Sequence, residues 1–99
     1  MSVIEKLDLL KDSYADEAEL DRVLARLLEV VLNQHRLRLA RYEQELRGFE
    51  ARFGMESAAF AARFEAGDLG DDLDYFEWAG LIALHEDLLD KIERLEAVQ

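Results

Sequence analysis

The densest set of chemically capable groups in this chain is acidic. Asp68, Asp71, Asp72, Asp74 and Glu77 fall close together, and such carboxylates bind calcium when oxygen ligands recur at fixed offsets. A calcium loop also needs Gly at its sixth place and a bidentate Glu at its twelfth. Counted from Asp68, the third place is Gly70, the sixth Leu73 and the twelfth Ala79, so the pattern fails. The same acids suit the start of a helix, with Asp71 or Asp72 as N-cap and with Asp74 and Glu77 in the positive first turn. They also form an acidic knob beside two aromatic residues. Asp68, Asp71, Asp72, Asp74, Tyr75 and Trp78 are therefore the candidate partner-binding set, an aromatic anchor with a charged rim.

The histidines offer less. His85-Glu86 opens like a zinc-protease helix, but the position four beyond His85 is Leu89. A di-iron bundle needs Glu three residues before each His, and those positions hold Leu32 and Ile82. His35 and His85 instead share apolar faces and read as satisfied interior residues. Ser2, Ser13 and Ser57 are the only aliphatic hydroxyls, there is no Cys, and no serine sits in a nucleophile elbow. No Gly-rich phosphate cradle accompanies them. The expectation is a non-enzymatic chain with no cofactor and no metal.

These groups must be positioned by helices. Pro is absent, and the stretch Asp16–Phe53 has no Gly before Gly48. Along it Leu28, Leu32, His35, Leu39, Tyr42, Leu46, Phe49 and Phe53 recur at alternating steps of four and three, the repeat of a helix packed lengthwise on another helix. A helix of this length spans roughly 55 Å. A compact domain of this size has a radius of gyration of about 13 Å, too small to wrap it. The seam residues Leu32, Leu39, Tyr42, Leu46, Phe49 and Phe53 are therefore expected to meet a second subunit. Farther upstream, Leu20, Val23, Leu24, Leu27, Leu28, Val31 and Leu32 form a broader face, suited to two neighbours such as the first helix and the last.

The other elements follow from capping and stop signals. Residues 2–12 form a short helix with Ser2 and Glu5 at capping-box spacing and with Val3, Ile4, Leu7 and Leu10 on one face. Asp12 and Ser13 favour a break. The long helix covers 16–53 and stops at Gly54. Gly48 inside it serves either a close helix approach or a bend. A short helix covers 56–66, a turn follows at 67–72, and the last helix covers 73–97. The predicted fold is all-α. It is an elongated helical hairpin with short N-terminal and tip helices, packing as a coiled-coil-like homodimer. Phe49, Phe53, Phe60, Phe64, Tyr75, Phe76 and Trp78 are placed to build a small core at the tip.

The 35% charged content fits a long-helix protein, and the net charge of −11 disfavours nucleic acid. The charge is uneven. Residues 22–53 carry seven Arg against four acids, while both flanks are acidic. The preferred account is that these Arg pair with the acidic flanks of the same chain or its mate. The alternative is a nucleic-acid-binding regulator using Arg36, Arg38 and Arg41. Met1–Leu10 carries Glu5, Lys6 and Asp8 where a leader's apolar run would begin, so no signal peptide is expected. Arg26 and Glu29 break the richest apolar run, so no membrane span is expected either, and the cytoplasm is the expected location.

Phe53-Gly54-Met55-Glu56, then Phe60, then the run Arg63–Asp72, then Asp74-Tyr75-Phe76-Glu77-Trp78-Ala79, resembles a recurring pattern in small, mostly uncharacterised prokaryotic helical proteins. Some of these resemble the antitoxin half of toxin–antitoxin pairs. The resemblance implies an acidic helical protein that masks a basic, toxin-like partner. Many antitoxins carry a DNA-binding module, whereas no helix-turn-helix is found here, so autoregulation by this chain is not expected.

Overall fold

The chain enters its first helix through Ser2, whose Oγ accepts the Glu5 N–H at 3.1 Å. A computed structural model describes residues 1–99 as four helices and no strand: α1 (Val3–Asp12), α2 (Glu17–Phe53), α3 (Ser57–Glu65) and α4 (Leu73–Ala97). At the end of α1, Ser13 Oγ donates to the Leu9 carbonyl at 2.7 Å, competing with continued helix. Asp16 restarts the chain, its carboxylate accepting the Ala18 N–H at 2.9 Å. Of the two acids able to cap α4, Asp72 does so, accepting from the Asp74 N–H at 2.9 Å. The α3 N-terminus is capped from outside its own helix. Glu50 of α2 accepts the Ser57 N–H at 2.8 Å.

Gly54 stops α2 in the left-handed conformation, φ 63°, and the following Met55 N–H reaches the Glu50 carbonyl at 3.2 Å. Gly67 repeats the device after α3 with φ 75°, and Asp68 N–H reaches the Arg63 carbonyl at 3.1 Å. These two stops turn the chain so that α4 runs back along α2. The pairings mark the opposed directions. Arg52 meets Asp74, His85 lies beside Glu43, and Arg36 bonds Glu96 at 3.0 Å.

Seven residues are buried, all apolar, in two clusters. The tip cluster is Leu46, Phe60, Trp78 and Leu81, with Phe49, Phe53, Phe64 and Tyr75 against it. The second is Leu32, Leu88 and Ile92, with Leu39, Tyr42 and Leu95 against it. Trp78 is fully buried. Its ring stacks on Phe60 at 3.9 Å between centroids and lies near-parallel to Phe49 at 5.6 Å. Its Nε1 donates to Ser57 Oγ at 3.0 Å, so the one polar atom of the indole is satisfied. The aromatic core expected at the tip is the structure's principal core, but Phe76, expected in it, is 55% exposed and meets only the edge of Phe64.

The molecule is elongated, 60 × 24 × 17 Å, with a radius of gyration of 19.6 Å. The cause is a mismatch in length. At about 1.5 Å per residue, the 37 residues of α2 outreach the 25 of α4 by about 18 Å. Packing by α4 ends at the Leu32 cluster, and α1 buries no residue. The two-sided burial expected for Leu20–Val31 is therefore absent. Gly48 lies in an unbroken α2 and is not a close approach, because a Cβ there would meet nothing within 4 Å.

Ser57→Ala leaves the Trp78 N–H buried without a partner and is expected to lower stability by about 1–3 kcal/mol in thermal or urea unfolding. Trp78→Ala should cost about 3–5 kcal/mol. Gly48→Ala should raise stability by up to about 1 kcal/mol, because it adds a better helix former in open space.

Candidate interaction surface

The structure divides the sequence-predicted partner set. Trp78 is 0% exposed and cannot touch a partner, which removes it as an anchor. Tyr75 is half-buried, tilted against Phe53 at 5.3 Å and Phe60 at 5.8 Å. Asp72 is spent on the α4 cap, and Asp74 is ion-paired with Arg52. Asp68 and Asp71 stay exposed in the turn before α4. No group of three His, Asp or Glu side chains converges on a point that could hold a metal ion.

His35 and His85 are half-buried as expected, but they are not satisfied. His35 Nδ1 and His85 Nε2 are shielded and have no hydrogen-bond partner, and the Glu43 carboxylate stands 3.7 Å from His85 Nε2. The full hydrogen bonding expected of an interior histidine is therefore not what these residues adopt.

The seam Leu32, Leu39, Tyr42, Leu46, Phe49 and Phe53 faces α4 of the same chain, with Leu32 and Leu46 buried and the others half-buried. Its cover is intramolecular because α4 starts at the α2 tip and pairs from there inward. Uncovered apolar surface lies on the other end of α2, and Leu73, Phe76 and Leu84 of α4 are exposed as well. Val23, Leu27, Val30 and Leu37 are 36%, 54%, 52% and 70% exposed. They recur, with Gln34, at steps of four and three, so they form a second stripe about 160° around α2 from the first. Val30 and Leu37 are functional candidates that the single-seam reading passes over, although this spacing carries them. Val3, Ile4, Leu7 and Leu9 of α1 are exposed as well.

Charged groups frame this surface. Asp16, Glu17, Glu19 and Asp21 stand at its start, and Arg36, Arg38 and Arg41 at its end. Arg36 is held by Glu96, but Arg38 and Arg41 take part in none of the chain's ion pairs. A separate shallow groove between α2 and α4 has Gly48 and Gly80 in its floor, with Phe49, Leu81 and Leu84 beside them and Glu45, Arg52 and Glu77 at its edge. No helix is long and apolar enough to cross a membrane.

An 11.4 kDa chain folded compactly exposes about 5,800 Å². This chain exposes 7523 Å². The excess of roughly 1,700 Å² is about twice what one partner hides in a standard protein interface. What the surface offers chemically is apolar area with a charged margin.

Comparison with protein-family models, with curated proteins and with solved structures finds no match for this chain.

The unpartnered histidine nitrogens make one expectation concrete. His35→Leu removes a shielded polar atom that has no partner, and it should raise stability by about 1 kcal/mol in thermal unfolding.

Proposed function

We propose that this chain is a non-enzymatic, acidic protein–protein interaction module. In this reading the helices act as an extended hairpin that pairs with a second copy, and the acidic surface neutralises a basic partner in the cytoplasm. The carrying observation is the apolar stripe Val23–Leu37, which nothing in the chain covers and which charged groups border. Stable exposure of such a stripe on a lone subunit is a liability, whereas at an interface it supplies the central apolar contact. The net charge of −11, with Asp68 and Asp71 free at the tip, supports attraction of a basic protein surface. The resemblance of residues 53–79 to antitoxin-like proteins agrees in kind, since such proteins act by masking a basic toxin. Trp78 and the Arg52–Asp74 pair then serve the tip fold and not the contact.

One observation favours the second reading, a nucleic-acid-binding regulator. Arg38 and Arg41 are exposed and have no carboxylate partner. Against it, the whole chain repels phosphate.

Sedimentation at micromolar concentration should give a dimer. Purification from the native host in low salt should bring down a basic protein that dissociates as salt is raised. A folded monomer, or no basic partner, rejects the interaction reading. Salt-sensitive DNA or RNA gel shifts lost in Arg38→Ala with Arg41→Ala would establish the second reading in its place.

A further inference from the structure

The exposed stripe of α2 has a charge pattern that selects its own occupant. Its apolar positions are Val23, Leu27, Val30 and Leu37, with Gln34 in the repeat and half-buried Leu20 one step before Val23. Continued at the same spacing, the stripe reaches Asp16 at one end and Arg41 at the other. We infer that a second copy of this chain docks antiparallel on this stripe, with the two-fold axis between Leu27 and Val30. This rests on the self-pairing in the proposed function and assigns it a surface, a direction and a register.

The register follows from matching layers. Leu27 lies against Val30 of the second copy, Val23 against its Gln34, and Leu20 against its Leu37, each twice by symmetry. The next layer outward on each side joins Arg41 to Asp16, whose Oδ1 accepts the Ala18 N–H and whose Oδ2 is left for the guanidinium. Glu17 and Arg38 hold flanking positions in the heptad, where opposite charges set partner and orientation. The arrangement therefore gives Arg38 and Arg41, which lack a carboxylate within the chain, their missing partners. A parallel pair would set Asp16 against its own copy and Arg41 against its own copy, a like-charge arrangement, and would separate Glu17 from Arg38. Slipping the antiparallel register by one helical turn breaks both the charge match and the Leu20–Leu37 layer. The surface is available because it faces about 160° away from α4, which covers only the Leu32–Phe53 seam. An unrelated partner would have no reason to match acids at one end and Arg at the other about a single point.

The chain has no cysteine, so single thiols can be introduced and spin-labelled without background. With about 1.5 Å of rise per residue and about 9 Å between helix axes, labels on Glu29→Cys should lie within about 25 Å of each other. Labels on Glu45→Cys should lie about 50 Å apart by the same geometry. Arg38→Glu, an exposed change, should keep the helical circular dichroism and weaken the dimer about tenfold in sedimentation, because two flanking pairs become repulsive. The double variant Glu17→Arg with Arg38→Glu should recover the original affinity. Short separations at both label sites, or no recovery in the double variant while the protein remains a dimer, overturn this interface and leave self-pairing standing. A monomeric wild-type protein overturns both.

Discussion

The burial of Trp78 is the interaction on which the rest of the structure depends. Its ring stacks on Phe60 of α3 and packs along Phe49 and Phe53 of α2, while its N–H is tied to Ser57. Ser57 in turn donates its own backbone N–H to Glu50 of α2. One side chain thus joins three helices and fixes where α4 begins. Once that start is fixed at the α2 tip, helical rise dictates how far back α4 can reach. The Leu32 cluster is the last buried layer, and upstream on α2 Leu24, Leu28 and Val31 are half-buried while Val23, Leu27 and Val30 are left to solvent or to another molecule.

Charge and burial are segregated along the same axis. The tip is a dry aromatic knot with a few tied carboxylates, and no buried group carries a charge. Toward the other end of α2, Val23, Leu27, Val30 and Leu37 are exposed, and Arg38 and Arg41 take part in no ion pair. A small chain with only seven buried residues has little core to spare. Shared burial across an interface is the usual remedy for chains of this size.

The helices were legible because their signals are local. Ser2, Asp16 and Asp72 are side-chain caps, and Gly54 and Gly67 are left-handed stops, each decided within a turn of sequence. The packing was less legible, because a heptad seam states that a helix is covered and not by whom. Leu32–Phe53 reads equally well as an edge between subunits or as the bed of α4. The second stripe was hidden in the breadth of the Leu20–Leu32 face, where two overlapping seams look like one wide one. Trp78 beside Asp72 and Asp74 resembled an exposed hot spot, since nothing in sequence distinguishes an anchor turned outward from one turned onto Phe60. The histidines misled for a related reason. Position on an apolar face predicts shielding, but a bonding partner comes from tertiary geometry that periodicity does not encode.

α1 has a further consequence. Ten residues form too short a helix to be firmly stable by their own hydrogen bonds, and none of them is buried. Its helicity is therefore set by whatever shields Val3, Ile4 and Leu7 from water, and ordering it consumes part of the binding energy of that event. The N-terminal segment is therefore placed to report any assembly that covers it: its amide protons are expected to exchange quickly in the lone subunit and more slowly under a covering molecule.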